Sequence, residues 1–141
     1  MRLIPLARGV VLLVQVGNSD AVTLASFEEL TAEMRRAGSL TVFADARGTK
    51  RMSPEIRDAA VKWANENRSS LRTTTVLVGS KLMEMAMSVL AMLVGGGLMK
   101  TVSELSEFER RIRQHAPNFS GLPELEAPPH APSADAANRT S

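Results

Sequence analysis

Residues 40–68, LTVFADARGTKRMSPEIRDAAVKWANENR, decide the fold of this 141-residue chain. The run Leu40–Ala44 is apolar enough for a strand buried on both faces. A basic, polar loop follows, with Asp45 at the carboxyl end of the strand and Arg47, Thr49, Lys50 and Arg51 beyond it. Ser53-Pro54-Glu55 then opens a helix. The serine oxygen can accept from free backbone N–H groups of the first turn, proline suits the first helical position, and glutamate meets the positive end of the helix dipole. Ile56, Ala60, Trp63 and Ala64 supply the apolar face of that helix, while Lys62, Glu66 and Arg68 face water.

Upstream, Arg2–Leu6 reads as a short edge strand, because Pro5 is tolerable only at an edge. Ala7-Arg8-Gly9 turns it into a second buried strand, Val10–Val16. Gly17-Asn18-Ser19-Asp20 is a turn cluster. A helix over Thr23–Ala37 follows, with Leu24, Phe27, Leu30 and Met34 at helical spacing, Ser26 and Glu29 as a capping box, and Gly38 as its stop.

Downstream, Thr73–Val78 is another buried strand. The helix Lys81–Val94, KLMEMAMSVLAMLV, is apolar nearly all the way round, which predicts burial on more than one side. Gly95-Gly96-Gly97 ends it, since a phosphate-binding glycine loop opens a helix and these close one. Leu98–Val102 is the last strand. Ser103 then caps a final helix, with Leu105, Phe108 and Ile112 inward and Arg110, Arg111 and Arg113 outward. Five of the seven prolines fall in the last 25 residues, so the chain divides into a domain over residues 1–116 and a disordered tail over 117–141.

Composition narrows the function classes. There is no cysteine, which removes disulfides and thiolate metal sites and suits a reducing compartment. The apolar run Val10–Val16 is too short to span a bilayer, and it carries no signal-peptide pattern, so a cytoplasmic location without stable membrane insertion is expected. A net charge of +2 with four Phe, one Trp and no Tyr offers neither a dense basic stripe nor a base-stacking platform, so nucleic acid is not an expected partner. His115 and His130 lie far apart and give neither a metal site nor an acid–base pair. No nucleophile elbow accompanies the serines. The expectation is no enzyme, no catalytic residue, no metal and no cofactor.

The element order β-β-α-β-α-β-α-β-α resembles the STAS domain, the fold of the anti-sigma-factor antagonists, and more closely its SpoIIAA-like branch. The resemblance spans roughly residues 8–115 and is carried by TVFADARGTKRMSPEIRDAAVKWANENR, TTTVLVGSKLMEMAMSVLAMLVGG and TVSELSEFERRI. It implies an α/β fold with a mixed sheet of four or five strands packed with about four helices. It also implies a non-enzymatic, regulatory protein–protein interaction module of bacterial type. Such antagonists dock a partner with the loop and helix after a central strand, and a phosphorylated Ser or Thr at the start of that helix switches the docking. Ser53 matches that position, although it lies between Met52 and Pro54 rather than in the usual Asp-Ser-Ser/Gly-Gly surroundings.

The candidate partner-binding residues are therefore Asp45, Arg47, Thr49, Lys50, Arg51, Ser53 and Arg57, with Ser53 also the candidate phosphorylation site. Each has a plain structural role beside the functional one: Ser53 as a helix cap, Asp45 as an acceptor for its loop, and the cations as a solvated face. Reversing the charge of Arg47, Lys50 and Arg51 is expected to weaken docking without unfolding the domain. Met83, Met85, Met87 and Met92 mark a second candidate surface. They are ordinary core, a homodimer or partner face, or the wall of an apolar-ligand or lipid pocket, the last in keeping with SEC14-like domains. An enclosed cavity of several hundred cubic ångströms beside them separates the lipid reading from a solid core.

Overall fold

The computed structural model describes residues 2–16 and 20–123. In chain order the elements are β1 (Arg2–Ala7), β2 (Val10–Val16), α1 (Asp20–Ala37), β3 (Leu40–Gly48), α2 (Pro54–Glu66), β4 (Leu71–Val78), α3 (Lys81–Val94), β5 (Met99–Val102) and α4 (Leu105–His115). The five strands form one mixed sheet in the order β1-β2-β3-β4-β5. Only the β1–β2 hairpin is antiparallel, and the other three pairings are parallel. Each parallel step needs a crossover, and α1, α2 and α3 supply them.

The apolar alternation along the strands sorts the helices onto two faces. Val11, Leu13, Val42, Ala44 and Ala46 pack with Leu30 and Met34 of α1, Ala64 of α2, and Met83, Met87, Leu90 and Val94 of α3. The intervening residues Val10, Leu12, Val14 and Phe43 pack instead with Phe108 and Ile112 of α4. Phe43 and Phe108 meet edge to face at 5.9 Å ring spacing, the geometry that aromatic quadrupoles favour. Three helices thus cover one face and α4 the other. This explains why Leu40–Ala46 is buried without a break. Pro5 sits on the edge strand, as its missing N–H requires, beside a register shift between Pro5 and Ala7.

Several expectations are corrected. Helix α1 begins at Asp20, so Ser26 lies inside it and is no cap; its buried hydroxyl donates to the carbonyl of Thr23 at 2.6 Å. The turn expected at 17–20 otherwise falls outside the described residues. Strand β3 continues to Gly48, so Asp45 sits within it rather than at its end, because pairing with β2 persists as far as Val16↔Gly48. Strand β4 starts at Leu71. Ser103 does not cap α4: Glu104 holds that position and no side chain bonds the helix end. Leu105 is exposed rather than inward.

The domain also runs past Pro117. Phe119 and Leu122 pack on the α4 side of the core, the backbone N–H of Leu122 reaches Glu109 Oε2 at 3.3 Å, and the Arg113 guanidinium stacks over Phe119. Two apolar side chains suffice to hold this stretch against α4 despite its composition. Residues 124–141, with His130, lie outside the described part. Among the described residues no helix is long and apolar enough to cross a membrane.

Candidate functional site

The β3–α2 connection brings the loop candidates to one end of the sheet but does not gather them into one basic patch. Side chains alternate along β3, and Asp45 and Arg47 share the α4 face with Phe43. Asp45 is fully buried. Its carboxylate accepts from Arg47 three times: from Nε at 2.9 Å, Nη2 at 2.8 Å and the backbone N–H at 3.2 Å. This fork-to-carboxylate bond raises the Arg47 pKa above its ordinary value. Asp45 therefore cannot touch a partner directly, and Arg47, with a quarter of its side chain exposed, is an anchor first.

Of the remaining candidates, Thr49, Arg51 and Ser53 reach the opposite, three-helix face. Thr49 donates its hydroxyl to Gln15 Oε1 at 3.2 Å, tying the loop to β2. Lys50 and Arg51 are exposed. Arg57 pairs with its neighbour Asp58 at 3.3 Å in water, a contact of small energetic weight. Ser53 is the expected helix cap: its backbone is extended at φ −73 and ψ 154, and Oγ accepts from the Ile56 N–H at 3.2 Å. The expectation that Arg47 tolerates charge reversal is withdrawn on this geometry, because a carboxylate there would face buried Asp45.

Helix α3 departs most from its sequence reading. Met83, Met87, Leu90 and Val94 are buried, but Leu82, Met85, Val89, Met92 and Leu93 are exposed, Met92 by 81%. Both sets follow three- and four-residue spacing, so α3 carries two apolar stripes on different sides. The inner stripe seals the sheet. The outer one has no neighbour because α3 is the last helix of its layer and α4 crosses to the opposite face. The four methionines thus divide evenly, with Met83 and Met87 in the core and Met85 and Met92 at the surface.

The end of β3 lies against the connection that leads into α3. A Cβ placed on Gly79, between β4 and α3, would lie 3.0 Å from the Arg47 carbonyl oxygen and 3.2 Å from its Cα. The end of β3 and the β4–α3 connection are thus in backbone contact at the carboxyl ends of the parallel strands, where α/β folds place sites.

Beneath α1, α2 and α3 lies a cavity of about 140 Å³. Leu13, Val42 and Val76 form its floor, Phe27 and Trp63 part of its roof, and Met87 and Leu90 its α3 wall. This is neither a solid core nor the several hundred cubic ångströms expected of a lipid pocket. Of its lining, the sequence reading singled out Thr49, Arg51 and Ser53 as partner-binding residues and, of the α3 methionines offered as an apolar-ligand wall, only Met87 reaches it. A cavity is a deficit of packing between several elements, which no local pattern encodes. Among the described residues, no group of three or more His, Asp or Glu is placed to hold a metal. A scan against protein-family models and a search of curated proteins both return no match.

Proposed function

We propose that this domain is a non-enzymatic regulatory interaction module of the STAS, anti-sigma-factor-antagonist kind, working in the cytoplasm of a bacterial cell. It docks a partner protein through the Lys50–Ser53 loop, the start of α2 and the exposed stripe of α3. The observation that carries the reading is that stripe. Five large apolar side chains in one helical band form a patch of the kind that marks interaction sites on otherwise polar surfaces. Methionine in such a band suits a partner surface, being flexible and polarisable. The loop cations Lys50 and Arg51 add orientation and association rate more than affinity.

The test uses a partner first identified by cross-linking from the native cell and then purified. Met85→Glu with Met92→Glu is expected to weaken its binding by at least tenfold, since charges would enter a desolvated contact. Lys50→Glu with Arg51→Glu is expected to slow association. Unchanged binding by both pairs, in proteins with wild-type melting curves, refutes the docking surface.

A second reading, a homodimer through α3, has its own support. The charges at the start of the helix, Lys81 and Glu84, pair with each other at 3.3 Å and leave no net charge to repel a second copy. Sedimentation equilibrium decides it: a monomer at high protein concentration removes the dimer and leaves the partner surface.

A further inference from the structure

We infer that the cavity beneath α1–α3 is a binding site for a small amphipathic carboxylate, with its apolar body in the interior and its head at Arg51. This rests on the cavity alone and stands or falls apart from the docking surface.

Size and lining set the body. An apolar cavity of ~150 Å³ in a protein core stays dry and takes up benzene, and this one is about 140 Å³. It accommodates a ring or a short alkyl chain, not two acyl chains. Its floor and roof are aliphatic and aromatic, so water inside would lack the two to four polar partners it needs.

The mouth sets the head group. Arg51 is the one charged side chain among the described residues that line the cavity. Apart from Thr74, the polar lining groups Gln15, Thr23, Thr49 and Ser53 lie at the same end, by the carboxyl ends of β2 and β3 and the starts of α1 and α2. Two of these groups, Gln15 and Ser53, act as acceptors in the bonds they make. Gln15 Oε1 already accepts from Thr49, so its amide hydrogens face outward bonding. Ser53 Oγ already accepts from Ile56 N, so its O–H can donate. With the Arg51 fork beside them, the mouth presents N–H and O–H groups under one positive charge. An anion with two acceptor oxygens complements that set.

The sequence contains one tryptophan, Trp63, which lines the cavity and is held by its indole N–H on Thr31 Oγ1 at 2.9 Å. Its fluorescence reports occupancy. The full chain is titrated with hexanoate, 1-hexanol and hexylammonium, following Trp63 emission and the Met87 methyl signal by NMR. Saturable binding is expected in the order hexanoate, hexanol, hexylammonium, with hexanoate about fivefold tighter than hexanol, the scale of an exposed ion pair. Arg51→Gln, in an exposed loop, is expected to reduce hexanoate to the level of hexanol and leave hexanol unchanged. Ala60→Leu, which fills the cavity from α2, is expected to abolish both. No saturable response to any of the three, equal binding of hexylammonium and hexanoate, or hexanoate affinity unmoved by Arg51→Gln overturns the proposal.

Discussion

The Asp45–Arg47 pair yields an asymmetric prediction. Removing one partner of a buried ion pair costs about 3–5 kcal/mol, because the other charge is left without compensation. The two halves differ in access to water: Asp45 is fully buried, whereas Arg47 is a quarter exposed on its side chain. Arg47→Ala removes both guanidinium bonds to a fully buried carboxylate and leaves it only the backbone N–H of residue 47, so a loss of about 3–4 kcal/mol is expected. Asp45→Ala strands a guanidinium that can swing toward solvent and rehydrate, which lowers the expected loss to about 2 kcal/mol. The double variant Asp45→Leu/Arg47→Met replaces the pair by apolar groups of similar reach and is expected within about 1 kcal/mol of the wild type. Urea unfolding of the four proteins measures this directly, with unchanged slopes to show that the unfolded state is the same. Since domains are stable by only ~5–15 kcal/mol, Arg47→Ala would be close to unfolding at moderate urea. If Asp45→Ala costs as much as Arg47→Ala, or if neither exceeds ~1 kcal/mol, the account of a buried anion anchored by its neighbour is wrong.

Two further outcomes follow from the same end of the sheet. Gly79→Ala places a Cβ against the Arg47 backbone at 3.0–3.2 Å, and neither connection can yield without moving a strand end, so thermal melts are expected to show a loss of about 1–3 kcal/mol. Ser53→Asp keeps a good helix cap and is expected to leave stability within ~0.5 kcal/mol, which isolates its charge; under the phosphoswitch reading it weakens partner binding, and full retention of affinity would mean that the serine is only a cap.

The stretch 40–68 was legible because each local signal agreed with the others. Ser53, Pro54 and Glu55 marked a helix start that the backbone adopts, and the apolar run before them is buried on both sides. Elsewhere the misreadings have a common cause, since local patterns cannot see neighbours in space. Ser26 looked like a cap because Glu29 stands three residues on, but the helix had already begun at Asp20. Phe119 and Leu122 looked like part of an unstructured tail until α4 gave them a surface. In α3, apolar residues all round predicted burial all round, yet the outer stripe is exposed. The basic residues of the loop are close in sequence, but strand alternation and the loop turn send Arg47 and Arg51 to opposite faces of the sheet.

That last division separates the roles the loop can play. Arg47 is committed to the α4 face, where it neutralises Asp45 and fixes the path of the chain leaving β3. Arg51, four residues on, borders the cavity on the three-helix face, and Lys50 between them is exposed. The anchored Arg47 keeps the backbone in place, while Arg51 reaches the cavity on the other face. The same asymmetry of faces leaves α3 with an uncovered stripe: three crossovers in sequence stack their helices on one side, and the fourth helix, which makes no further crossover, closes the other. Among the described residues no further strand and crossover helix follow β5 to cover the outer flank of α3. Under the docking proposal, a second molecule takes that apolar surface out of water.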